Sequence, residues 1–269
     1  MMRMGNLFSL SNVSVVRDGK RILGPLDLAV DEGESIAVIG RNGSGKTTLS
    51  MLLKKEISPY YDELAQSSLT ILGRRDWDIF ELRRTVVSVS TDDERFFSPS
   101  KTVGEVILSG MFGSDGIYPI HEVTREMVGR MSELMSAVDL HIGPEREFGT
   151  LSQGERRSAM IARALMPSPK VMILDEPTNS LDPIASASFI RMIDGLIGKG
   201  ISVIMVTHRL EDIPCSIGRV IGMKDGLKAA DGRKEDVLTS GCVSDIYGAA
   251  VKVVSDGGMY ALSVPSQNL

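Results

Sequence analysis

The run Gly40-Arg41-Asn42-Gly43-Ser44-Gly45-Lys46-Thr47 matches the pattern G-x-x-x-x-G-K-[ST] in full. Glycines at this spacing let the backbone curl so that successive N–H groups point inward and cradle phosphate oxygens. Lys46 is then expected to neutralise the β- and γ-phosphates of a nucleotide, and the Thr47 hydroxyl to ligate Mg²⁺. A second reactive segment is Ile173-Leu174-Asp175-Glu176-Pro177. Its two carboxylates follow an apolar run, which predicts a place at the C-terminal end of a buried strand, where open α/β sheets bind ligands. Asp175 is the expected magnesium partner, directly or through water. Glu176, one residue on and turned to the other side, is the expected general base for an attacking water. Taken singly, a Gly-rich turn and an Asp-Glu-Pro helix start are the plain alternatives. Both segments in one chain favour chemistry on ATP or GTP.

Two further segments stand out. Leu151-Ser152-Gln153-Gly154-Glu155 opens a helical pattern in which Ser158, Ile161, Ala162 and Leu165 share a face and Pro167 ends the run. Ser152 with Glu155 three residues on is a capping box, and a capped helix start with an open N–H is also an anion site. The two readings are compatible. His208 follows the apolar run that ends Val206-Thr207. His121 and His141 have no comparable company and read as surface or packing residues.

Each segment needs an element to hold it. Ser35-Ile36-Ala37-Val38-Ile39 reads as a buried strand, and Leu49, Leu52 and Leu53 at helical spacing predict a helix over residues 47–55. Val171-Met172-Ile173-Leu174 and Val203-Ile204-Met205-Val206 read as two more buried strands. Short β-rich runs, each followed by a loop and a helical pattern, predict a parallel α/β sheet. Residues 7–33 differ. Leu7-Phe8-Ser9-Leu10 and Val13-Ser14-Val15, punctuated by Asp18-Gly19 and Glu32-Gly33, predict antiparallel hairpins ahead of the phosphate loop. Residues 122–139 place Val123, Met127, Met131, Leu134, Met135 and Val138 on one helical face, with Glu122, Arg125, Arg130 and Glu133 elsewhere. The methionines read as core filler.

Composition excludes several function classes. At 42% hydrophobic and 24% charged, 269 residues are enough for a substantial globular core. A formal charge of −5 without a Lys/Arg run argues against nucleic acid or an anionic membrane surface as partner. The two cysteines, Cys215 and Cys242, have no paired spacing, which fits a reducing compartment. No apolar stretch approaches the ~20 residues of a membrane-spanning helix, and the N-terminus lacks the apolar core of a signal peptide. The expectation is a cytoplasmic protein without direct membrane insertion, either free or peripheral at the inner face of the cell membrane.

In this order, residues 40–47, 151–155, 171–176, Ser180-Leu181-Asp182 and His208 resemble the ABC ATPases, the nucleotide-binding subunits of ABC transporters, over nearly the whole chain. The resemblance implies an α/β P-loop NTPase fold of ABC ATPase type, with a parallel-sheet core, an N-terminal antiparallel β-subdomain and an inserted α-helical subdomain. It implies a single domain over residues 1–269. Residues 1–93 and 151–240 would form the β-subdomain and core, 94–150 the helical subdomain, and 241–269 a C-terminal extension, with the signature helix near 152–166. ATP and Mg²⁺ are the implied ligands. Gly40, Asn42, Gly43, Ser44, Gly45, Lys46, Thr47 and Thr48 would surround the phosphates, Thr47 and Asp175 would hold the metal, and Glu176, His208 and Lys46 would serve catalysis. His208 looks like the family's switch histidine, which senses the γ-phosphate. Ser152 and Gly154 would approach a γ-phosphate held by a second copy, and Asp182 belongs with the nucleotide-binding residues.

Departures from the family pattern narrow the branch. Most members stack an aromatic residue on adenine, where this chain has Val15-Val16-Arg17-Asp18; the Arg17 guanidinium is the candidate for stacking, and Phe8 is the nearest aromatic alternative. The segment Ser90-Thr91-Asp92-Asp93 lacks the glutamine that normally touches Mg²⁺ and the membrane partner, leaving Thr91 or Asp92 as substitute oxygen ligands. Gln153 replaces the usual glycine and Glu155 the usual glutamine. With the stretches at 106–112, 116–118, 148–150 and 211–214, these features resemble the molybdate-associated branch. The tail Asp245-Ile246-Tyr247-Gly248 and the strand over residues 251–254 resemble ATPases of iron-chelate and cobalamin importers. The implied function is ATP hydrolysis at a nucleotide-sandwich dimer that powers import of a metal, oxyanion or metal chelate through a separate permease. The alternative is a soluble ATP-dependent regulatory or assembly switch.

Overall fold

A computed structural model describes residues 5–60 and 66–264, in two compact units: Met1–Trp77 with Ser202–Leu269, and Asp78–Ile201. The first unit opens with strands β1 (Asn6–Arg17) and β2 (Lys20–Asp31), paired antiparallel. Only Asp18 and Gly19 separate them, both at positive φ (50° and 73°), as the tight primed hairpin turn requires. Along β2 the side chains alternate, Leu26, Leu28 and Val30 buried, Asp27, Ala29 and Asp31 exposed, so one face of the sheet covers a core. Strand β3 (Ile36–Ile39) is buried at every residue, the mark of a strand covered on both faces. It feeds the phosphate loop and helix α1 (Lys46–Leu53), which buries Leu49, Leu52 and Leu53. Strand β4 (Ser68–Ile71) then pairs with the other edge of β1.

The second unit starts at α2 (Ile79–Thr85), capped by the Asp78 carboxylate, and continues into β5 (Val86–Ser90). Helices α3 (Val103–Leu108), α4 (Arg125–Ala137) and α5 (Gln153–Leu165) pack on one another. Strand β6 (Val171–Asp175) pairs parallel with β5, and α6 (Pro183–Gly198) follows. The apolar face expected over residues 122–139 holds only in its C-terminal half: Met131, Met135 and Val138 are buried, whereas Val123 is exposed and Met127 and Leu134 half-buried. Arg130, expected to point away, donates to the carbonyls of Leu165 and Met166, both at 2.8 Å. Those carbonyls lie at the end of α5, where unpaired acceptors and the helix dipole both favour a cation.

Back in the first unit, β7 (Ser202–Thr207) and β8 (Arg219–Lys224) flank β3 in parallel, and β9 (Leu227–Arg233) adds to β8 antiparallel. Arg219 ties three strands' ends together, donating to the Ala29 carbonyl and pairing with Glu34 and Asp231. A short helix α7 (Lys234–Val237), helix α8 (Ser240–Tyr247) and the hairpin β10 (Lys252–Asp256) and β11 (Met259–Ser263) complete the unit. Among the described residues, no helix is long and apolar enough to cross a membrane.

Candidate active site

The phosphate loop joins β3 to α1 in the first unit. Gly40 begins it at φ +153°, and a Cβ there would come within 2.3 Å of the Met223 carbonyl oxygen and 2.6 Å of Ser44 Oγ. Only glycine fits. Gly40→Ala should therefore lower stability by at least ~1–2 kcal/mol and disorder the loop; a denaturant melt unchanged from the parent would contradict that placement. Gly45, at φ +100°, caps α1 without any side-chain hydrogen bond, and the first turn of α1 carries no acidic residue. The helix start is thus left as a ready anion site. Lys46 is buried and folds back onto its own loop, its Nζ donating to the Gly40 carbonyl at 2.8 Å and the Arg41 carbonyl at 3.2 Å. Asn42, Gly43 and Thr47 are exposed, Thr48 is half-buried, and Ser44 Oγ is buried with no hydrogen-bond partner among the described residues. Uncapped N–H groups, an ammonium and hydroxyls on one short loop suit a polyphosphate and its hard cation.

The carboxylates belong to the second unit. Asp175 is the last residue of β6, and Glu176 follows at φ +50°, a left-handed conformation that non-glycine residues hold at a cost of about 1–2 kcal/mol. The turn is fixed from both sides: Pro177 and Thr178 are buried, and the Glu176 and Thr178 carbonyls accept from Asn179 and Leu181 N–H. A backbone outlier held this firmly at a strand end is a mark of a functional turn. Asp182 caps α6, its Oδ1 accepting from Ile184 and Ala185 N–H at 2.8 and 2.9 Å.

At the start of α5 the capping box is complete. Ser152 Oγ accepts from Glu155 N–H at 3.2 Å, and the Glu155 carboxylate accepts from Ser152 N–H at 2.8 Å. The backbone hydrogen bond from Ser152, with help from Arg146 at 3.3 Å, holds the Glu155 carboxyl below its ordinary pKa. Its capping is therefore present above the usual carboxylate range and fades as pH falls through the depressed value. Ser152 and Gln153 remain exposed. A Cβ on Gly154 would touch only Ala185 Cβ, at 3.8 Å.

His208 lies in the first unit, just after β7, half-buried, with its carbonyl accepting from the Tyr247 hydroxyl at 2.7 Å. The loop beyond it is knotted by Asp212, 1% exposed, which accepts from Thr207 Oγ1 at 3.1 Å. Arg17 ends β1 exposed, opposite Lys20. Phe8, the aromatic alternative for a base, is fully buried beneath the β1–β4 pairing and is removed from that role. Of the substitutes for the missing glutamine, Asp92 is exposed and paired with Arg95, whereas Thr91 is half-buried. His121 stacks on Phe112 with ring centroids 4.1 Å apart, and His141 pairs with Asp139 at the surface.

The sequence profile of the ABC transporter family matches residues 23–179, more than half the chain. The chain belongs to the ABC transporter ATP-binding family. Members hydrolyse ATP, and so this chain is an ABC ATPase. The ABC transporter ATP-binding protein YlmA of Bacillus subtilis is 32% identical over 256 residues, covering 92% of this chain and 93% of YlmA. ModF of Escherichia coli is 33% identical over 81% of this chain and 44% of its own length. The cobalt import ATP-binding protein CbiO of Syntrophus aciditrophicus is 33% identical over 82% of this chain and 76% of its own. The solved cbiO1 of Clostridium perfringens, part of the ABC transporter complex cbiONQ, superposes with a TM-score of 0.75 at 23% identity, covering 90% of this chain and 94% of its own. That likeness is one of fold.

This ABC ATPase also buries a charged pair that no local pattern in its sequence marks. Arg157, in α5, is buried, its side chain 3% exposed, and pairs with Glu94 at 3.2 Å. Burial pushes the Glu94 carboxyl up, against the pull of the guanidinium. The pair walls a cavity of about 470 Å³ with Thr91, Phe97 and Arg156. A polar residue beside Arg156 in a pattern read for apolar faces gives no sign of burial.

Proposed function

We propose that two copies of this chain close head to tail on ATP and reopen on hydrolysis, and that the cycle powers import of a metal, oxyanion or metal chelate through a separate membrane subunit. The start of α5 carries this reading: Ser152 exposed, its helix capped, and the backbone at Gly154 open on the outer side. An anion site built on an outward-facing helix start needs a ligand brought by another molecule. In each copy the phosphate loop from Gly40 to Thr48 holds the phosphates, with Lys46 exchanging its loop carbonyls for them. Thr47 and Asp175 are oxygen donors suited to Mg²⁺. The ion, once bound, neutralises charge on the β- and γ-phosphates. Glu176 takes the proton from the attacking water, and His208 reports whether the γ-phosphate is intact. Asp182, by capping α6, fixes the loop that follows Glu176.

The similarity to the cobalt import ATP-binding protein CbiO supports an importer partner. The segment after β5, without a glutamine, favours a second reading: a soluble ABC ATPase that switches a regulatory or assembly partner. Purification from native membranes separates them. A polytopic membrane protein retained in stoichiometric amount supports the importer, and full recovery of the chain free of membranes supports the switch.

Exposed Arg17 at the end of β1 is proposed to stack its guanidinium on the base. Arg17→Ala should weaken ATP by roughly three- to tenfold while leaving inorganic triphosphate unchanged, the size of a modest cation–π contact. Equal losses for the two ligands would reassign Arg17 to the phosphates.

A further inference from the structure

The C-terminal segment from α8 to β11 closes around the loop that carries His208, all within the first unit. The Tyr247 hydroxyl, on the last residue of α8, donates to the His208 carbonyl at 2.7 Å. Strand β11 lies against the turn Leu210–Asp212, two residues further on. Helix α8 is anchored beneath: Ile246 is buried over Gly222, in the middle of β8, where a Cβ would come within 2.4 Å of its Cδ1. Gly248 ends the helix at φ +64°, and a Cβ there would lie 3.7 Å from Arg41 Nη1, in the phosphate loop. The end of one helix thus adjoins both the phosphate loop and the backbone of the switch residue. The half-buried Tyr247 follows the buried Ile246, and the hydrogen bond from its hydroxyl restrains the peptide plane after His208, which limits the backbone torsions from which the imidazole departs.

We infer that Tyr247 is a positioning residue for hydrolysis: its hydroxyl holds the His208 backbone so that the imidazole faces the γ-phosphate, and the α8–β11 segment sets the turnover rate through that contact. This rests on the proposed role of His208. The energetic scale is that of one neutral hydrogen bond, so losing the hydroxyl alone should slow turnover without removing the nucleotide.

The test is steady-state MgATP hydrolysis by the full chain, for the parent, Tyr247→Phe and His208→Ala, with melting temperatures taken without nucleotide. Tyr247→Phe keeps the ring and its packing. The expected result is a fall in kcat of roughly three- to tenfold with KM unchanged and the melting temperature lowered by no more than the ~2–4 °C of one hydrogen bond. His208→Ala should fall further. If Tyr247→Phe turns over like the parent while His208→Ala is slow, the inference is overturned and the reading of His208 stands. If His208→Ala turns over like the parent, that reading itself fails, whatever Tyr247→Phe does. A Tyr247→Phe variant whose melting temperature drops well beyond that and whose KM rises along with the loss of kcat would mark a merely structural tyrosine, and would also overturn the inference.

Discussion

Glu176→Gln should lower ATP turnover by about 10²–10⁴-fold, the usual worth of a general base, and leave ATP affinity unchanged. The substitution is close to isosteric. It keeps the volume and the left-handed backbone at this position, since Gln and Glu meet the same steric cost at φ +50°. What it removes is the proton acceptor. On the proposed cycle, closure depends on intact ATP and reopening on its hydrolysis, so the variant should accumulate as an ATP-bound dimer. Light scattering with MgATP should then report twice the mass seen without nucleotide. Parent-like turnover would remove Glu176 as the base, and slow turnover without dimerisation would leave the base in place while removing the closing step. Ser152 supplies an internal control: Ser152→Ala weakens the α5 cap by ~1 kcal/mol and should abolish the trapped dimer without preventing nucleotide binding to the monomer.

Local rules made much of this chain legible. The phosphate loop, the buried strands β3, β6 and β7, the Asp18-Gly19 hairpin and the Ser152–Glu155 box each depend on neighbours within a few residues, and the structure forms all of them. Phe8 shows where attention to one residue misled: it alternates with Leu10 on a strand, and that period already assigned it to the core. Arg130 and Arg157 lay beyond local rules. Each is a cation at a helical position that periodicity leaves polar, and each is drawn inward by acceptors distant in sequence, the last carbonyls of α5 for one and Glu94 for the other. Tyr247 belongs with them. Its phenol meets the His208 carbonyl only because α8 returns over β8, a placement no spacing in the sequence encodes.

Arg157→Ala should destabilise the protein by about 2–4 kcal/mol, somewhat below the ~3–5 kcal/mol typical of removing one partner from a fully buried ion pair. Two effects add. The long side chain leaves a void beside Phe97, and Glu94 loses the charge that draws its carboxyl pKa downward against burial. The cost is moderated because Glu94 keeps 17% of its side-chain surface exposed and can take up a proton. The sign with pH follows. A carboxyl whose folded-state pKa is raised costs stability only where the unfolded chain is ionised; the cost begins to shrink as pH falls through the folded-state value and is gone below the unfolded-state one. In the parent the same carboxyl is raised less, because the Arg157 guanidinium opposes burial, so acidification relieves a smaller cost there. The gap in melting temperature between parent and variant should therefore narrow from mildly alkaline pH toward the ordinary carboxylate range. Adding Glu94→Gln to Arg157→Ala should recover part of the loss at neutral pH, because an amide carries no charge to desolvate. A double variant no more stable than the single one would assign the whole effect to packing.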